Sequence, residues 1–140
     1  MIRISKRRAA RNRRTRRLGV EIVELAFALP VMTIIIFGTL ETCELLFTKQ
    51  SLAVAAYEAG RVAARPEGTA AAAQTRFDQI MTARRVSGAN LTITPADLGA
   101  LATGETIRLE ATAPVSGNNS TNLVLSGVPD IIEAVVVVRE

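Results

Sequence analysis

Glu21 and Glu24 are the residues of this chain whose chemistry most needs explaining. They stand in Gly19-Val-Glu-Ile-Val-Glu-Leu25, between an arginine-rich tail and a stretch from Leu25 to Leu40 that holds no charge. A carboxylate in hydrocarbon is expensive, ~2.5–3.5 kcal/mol for Asp on insertion scales. Such an acid behaves as an ion awaiting a counter-ion. The plainer alternative is that both acids complement the positive end of a helix dipole. That alternative carries more weight for Glu21 than for Glu24, which lies nearly one turn deeper.

Elsewhere the side chains offer little to a catalyst. There is no His and no Trp, and Cys43 is the single thiol. The commonest general base and metal ligand is therefore missing, and no disulfide framework can form within the chain. Nucleophile–base pairs, metal-ligand spacings and phosphate-cradling glycine loops are not found. The expectation is a protein with no catalysis and no cofactor. Cys43, just past the apolar stretch, reads as a partly buried packing thiol; a disulfide between subunits is the alternative in an oxidising compartment.

These residues need elements to position them, and the charge distribution marks the first boundary. Residues 1–18 hold nine cations and no acid, whereas the rest of the chain holds 8 cations against 13 acids. A basic tail on an acidic body points to a separate partner for the tail, an anionic membrane face or nucleic acid. Arg13, Arg14, Arg16 and Arg17 lie next to the apolar stretch and suit a membrane surface. Nucleic acid is the weaker reading: nine cations could contact phosphates, but the tail has no aromatic for stacking and leads into the apolar stretch. No nucleic-acid partner is expected.

Leu25–Leu40 alone makes ~24 Å of helix, short of a ~30 Å hydrocarbon core. Adding apolar neighbours on each side gives a span, provided the carboxylates at its ends sit at the interfaces or find partners. A cleavable secretory signal fits less well, because helix-patterned sequence continues past Glu41 and Glu44 and no small-residue cleavage site ends the stretch. The helix is predicted over residues 20–65, bent at Pro30 and ended by Pro66-Glu-Gly68. Small residues four apart, Ala56, Gly60 and Ala64, with Ala55, Ala59 and Ala63 beside them, make a thin face on which another helix or a sheet can lie close.

Residues 66–140 read as a small α+β head. A second helix is expected from about Thr69, as N-cap, to Val86, with Ala73, Phe77, Ile80 and Met81 as its apolar stripe and Gly88 to stop it. Leu91–Thr94 and Glu105–Ala113 alternate as strands, the latter with Ile107, Leu109, Ala111 and Ala113 on one face. Ile132–Arg139 reads as a more buried strand. Ser116–Thr121 is an exposed loop, and Asn122–Leu125 pairs weakly or crosses the sheet end. A three- or four-stranded antiparallel sheet on the outer half of the first helix is the economical arrangement.

A basic leader ending in Gly19, an acid five residues on at Glu24 and then an apolar helix resemble the class III signal of type IV pilin-like proteins. Further matches follow in order: Glu24-Leu-Ala-Phe-Ala-Leu-Pro30, Phe37-Gly-Thr-Leu-Glu41, Leu45-Leu-Phe47 and Ala55-Ala-Tyr-Glu-Ala-Gly-Arg-Val-Ala-Ala64. Together, over about residues 18–65, they are similar to the TadE-like family, minor pseudopilins of tight-adherence (Flp) pilus systems. The closing Glu133–Glu140 is loosely similar to family C-termini.

The resemblance implies a type IV pilin-like fold and cleavage between Gly19 and Val20 by a prepilin peptidase. The new α-ammonium of a neighbouring subunit would then serve as the partner of Glu24. It also implies other pseudopilins or Flp pilin and an inner-membrane assembly platform as partners. The N-terminus would be cytoplasmic, the helix single-pass in the inner membrane and the head periplasmic. Two departures stand out. Leu25 replaces the aromatic that usually follows the acid in Flp prepilins, and an uncleaved bitopic anchor with a periplasmic domain of unknown ligand is the alternative. Residues 20–140 also exceed the single short helix of a major Flp pilin, which implies a minor subunit with a head.

Overall fold

A computed structural model of the chain describes residues 5–125 and 127–140, with side chains from Gly19 onward. The side chains of Arg13, Arg14, Arg16 and Arg17 therefore lie outside the described ones. Helix α1 runs from Ser5 to Ala64, 60 residues or ~90 Å. It ends where the proline of Pro66 requires, within a residue of the expected position. Its start differs from the expected boundary at residue 20. The backbone stays helical through Gly19, because Arg, Lys, Ala and Leu before it and Glu, Leu and Ala after it favour helix and one glycine costs only ~1 kcal/mol. The helix also continues through Pro30.

Polar groups within the apolar stretch are satisfied locally. The hydroxyls of Thr33, Thr39 and Thr42 each donate to the carbonyl four residues back, at 2.7 Å. This lets threonine sit in a medium without water.

Helix α2 spans Ala70–Ala83, with the Thr69 hydroxyl accepting from the Ala72 N–H as its N-cap. It stops before Val86. Arg85 takes a left-handed φ of 56°, and the Val86 N–H turns back onto the Met81 carbonyl, a Schellman closure that needs no glycine at that point. Strands β1 (Asn90–Thr94), β2 (Thr106–Ala113) and β3 (Ile131–Val138) form one antiparallel sheet in the order β1-β2-β3. The fold is α+β, with the sheet laid on the outer half of α1, as expected.

The core lies between that half of α1, α2 and the inner face of the sheet. Leu52, Ala55, Ala56, Ala59 and Ala63 of α1 are fully buried with Phe77, Ile107, Leu109 and Ala111. The thin helix face is used inside the chain: a Cβ on Gly60 would come 3.0 Å from Val137 and 3.4 Å from Leu109. At Gly60 the sheet is the covering found. Phe77 is the largest side chain in this core, and Phe77→Ala is expected to destabilise the head by about 3–5 kcal/mol. Urea unfolding of the detergent-solubilised chain, followed by circular dichroism, measures it as a lowered midpoint.

Three expectations are corrected. β3 is an edge strand rather than a more buried one: Val135 and Val137 face α1, while Ile132, Val136 and Val138 are exposed. These outer side chains stay exposed because no described element covers that face of the sheet. Asn122–Leu125 is no strand and turns instead toward α1. Cys43 is exposed, not a packing thiol, because it faces away from the loop and the sheet that cover α1.

Candidate functional site

The inner half of α1 carries one stretch long and apolar enough to cross a membrane, with a mean hydropathy of 2.2 over its best 18-residue window and none of that window buried within the protein. Residues 20–40 as helix make ~31 Å, the thickness of a hydrocarbon core. Glu21, Glu24 and Pro30 are all exposed on it. Among the described residues no cation lies within ion-pair distance of Glu24. Glu24 and Glu41 are ~26 Å apart along the axis, which sets them near opposite faces of the same bilayer.

Glu41 is met by donors from the head. Its side chain is fully buried, and its two oxygens are met by the loop 120–125. Oε1 accepts from the Thr121 hydroxyl at 2.5 Å and from the Leu123 N–H. Oε2 accepts from the N–H groups of Val124 at 3.0 Å and Leu125 at 2.7 Å. Asn122 has φ 55°, a left-handed geometry that asparagine tolerates. Its turn aims successive N–H groups at one point as an anion nest.

The Thr121 hydroxyl is the main reason the Glu41 carboxyl is held down at about 2. Burial pushes the other way, and the N–H groups of Leu125, Leu123 and Val124 add to the lowering. One turn further, Glu44 accepts from the Ser120 hydroxyl and, at 2.8 Å, from the Ser120 N–H. The hydroxyl and then the amide of Ser120 lower its carboxyl, against burial and the like charge of Glu41.

The start of the loop is fastened separately. The Asn118 amide donates to the carbonyls of Ser87 and Pro114 and accepts from the Ser87 N–H. At the opposite end of the head, Arg139 is buried with its guanidinium against the end of α1. Nη1 donates to the Ala63 carbonyl at 2.7 Å and the Gly68 carbonyl at 3.2 Å, and Nη2 to Pro66 at 2.7 Å. A cation suits the negative end of the helix dipole, and its fork reaches carbonyls that have no partner in the helix ladder.

The structure brings Ala56, Gly60 and Ala64 into one buried region and leaves Gly19, Val20, Glu24 and Pro30 along an uncovered helix. Glu41 and Glu44 are the polar site that reading the chain in order missed. The available signal was two acids placed immediately after an uncharged run, which demand donors from somewhere. Their donors are about 80 residues away in sequence, with no pattern to link them. Among the described residues no group of three His, Cys, Asp or Glu is arranged to hold a metal.

Fold and site thus define a single-pass membrane protein with a small α+β head. Residues 19–61 match the family model described as TadE-like protein, the family that the ordered motifs resemble. The matched segment contains Gly19, Glu24, Pro30, Glu41 and Gly60. No curated protein and no solved structure matches the chain.

Proposed function

We propose that the protein is a minor pseudopilin taking part in the assembly of an adhesive tight-adherence (Flp) pilus. The TadE-like match over residues 19–61, with Glu24 on the uncovered half of α1, carries this reading. The basic leader, Arg13, Arg14, Arg16 and Arg17 included, stays on the cytoplasmic side by the positive-inside bias. There it holds to anionic lipid at ~1 kcal/mol per well-placed cation. Residues 20–40 cross the inner membrane, and the head lies in the periplasm. The protein acts as a structural subunit without catalysis or cofactor. Its partners are a prepilin peptidase, sister pseudopilins or Flp pilin, and the inner-membrane platform.

Peptidase cleavage between Gly19 and Val20 gives Val20 an α-ammonium group one helical turn from Glu24. In an assembly, the ammonium of one subunit meets the Glu24 carboxylate of the next, and the cost of an unpaired acid in lipid falls. Because Gly19 is helical here, the peptidase must first open the backbone, and glycine is the easiest non-proline residue to release from a helix. Glu24→Gln keeps size and removes charge. The expected result is membrane insertion and head stability as in the natural chain, with loss of co-purifying partner subunits and of pili. Normal piliation by the glutamine variant would sink the ion-pair reading.

The unbroken helix through Gly19 favours a second reading, an uncleaved bitopic anchor. N-terminal sequencing of membrane-extracted protein decides between them. A start at Val20 that depends on the peptidase supports the pseudopilin, and a start at Met1 with and without it supports the anchor.

A further inference from the structure

We propose that Thr121–Leu125 is a membrane-dipping loop, which Glu41 holds so that Leu123 and Val124 enter the outer rim of the bilayer beside α1. The inference rests on reading residues 20–40 as the membrane span. Leu123 is 60% exposed and Val124 43% exposed. In a soluble loop such apolar side chains would gain by turning inward. Here the four donors on Glu41 fix the backbone and leave these two side chains facing out.

Their depth follows from α1. A Cβ built on Gly38 would lie 3.8 Å from a Val124 methyl, so Val124 sits at the level of Gly38. That level is ~4.5 Å to the membrane side of Glu41 at one helical rise per residue, inside the span. The segment from Ser116 to Pro129 contains no charged residue, so no charge of its own opposes entry. The Glu41 oxygens and the N–H groups of Leu123, Val124 and Leu125 satisfy one another, which lowers the cost of bringing these groups near lipid. The occupant of this surface is the lipid that already surrounds residues 20–40. The loop simply widens that contact.

The chain has no tryptophan, so single tryptophans can report on depth. Leu123→Trp, Ile34→Trp and Glu67→Trp are each placed in the full chain, reconstituted sparsely in phosphatidylcholine vesicles with brominated acyl chains. Ile34 lies in the span, and Glu67 is exposed at the far end of the head. The expected result is blue-shifted emission at position 123, strongly quenched by bromines near the headgroup. Position 34 should be quenched by deeper bromines, and position 67 by aqueous iodide alone.

An emission from position 123 that iodide quenches and bromine does not, with position 34 quenched by bromine, overturns the loop assignment while leaving the span intact. A position 34 that escapes bromine overturns the span itself. Emission from position 123 that turns blue only when sister subunits are added, without bromine quenching, overturns the loop assignment in favour of a protein contact. Should tryptophan disturb the loop, a spin label on Leu123→Cys in a Cys43→Ser chain gives the same decision. Oxygen access exceeding that of a water-soluble nickel chelate supports the proposal, and the reverse overturns it.

Discussion

Arg139→Ala is expected to destabilise the head by about 3 kcal/mol, since it removes charge-assisted hydrogen bonds worth ~1.5–3 kcal/mol each. The guanidinium is nearly fully buried and donates to the carbonyls of Ala63, Pro66 and Gly68. Water reaches the exposed Pro66 turn and recovers part of the loss, so the bonds do not simply add. The Ala63 carbonyl is on a buried residue and stays without its donor. The same region holds the last backbone links of the sheet. Arg139 exchanges bonds with Gly104 and Glu105, and the Glu140 N–H donates to Ala64 at 2.8 Å.

A small head with a modest core has little stability in reserve, so this variant should unfold at a much lower urea concentration. Arg139→Lys retains the cation but has no fork to reach carbonyls on two sides, and should fall between the natural chain and alanine. Equal midpoints for lysine and arginine would show that charge alone closes the helix end.

Glu41→Gln should release the loop while leaving the core folded. Four donors converge on the carboxylate, and glutamine presents an NH₂ group where one oxygen was, setting donor against donor. The expected observation is fast hydrogen exchange at the amides of Leu123, Val124 and Leu125, with protection of Leu109 and Ala111 unchanged. Acid should produce the same state in the natural chain, and the sign is fixed by the direction of the shift. A carboxyl held at about 2 when docked and at an ordinary 4.5 when free contributes docking stability that is complete above about 4.5. It is lost progressively as pH falls toward 2. Docking is therefore flat from pH 7 to 5 and weakens below that, with Glu44, also lowered, adding to the trend. In Glu41→Gln the acid-dependent change at these three amides should shrink to the part that Glu44 supplies.

Much of the architecture was legible in order along the chain. The apolar stretch, the helix stop at Pro66, the Thr69 cap and the alternation in Thr106–Ala113 are local signals, each set by a few neighbouring residues. The start of α1 was not legible, because the basic leader and the span are both good helix formers and no capping residue separates them. The left-handed Arg85 that closes α2 was missed because arginine is an unusual residue for that geometry.

What the amino-acid order determined alone is the one-dimensional part: an apolar helix of membrane length with Glu24 near its start, a basic segment before it and an α+β pattern after it. Tertiary structure decided which surfaces are covered. The sheet closed over Gly60, β3 became an edge with its outer valines bare, and the loop 120–125 came back to donate hydrogen bonds to Glu41. The reason is physical. Periodicity and capping are properties of neighbours a few residues apart, whereas a buried carboxylate takes whatever donors the fold brings to it, and here they lie at the other end of the head sequence.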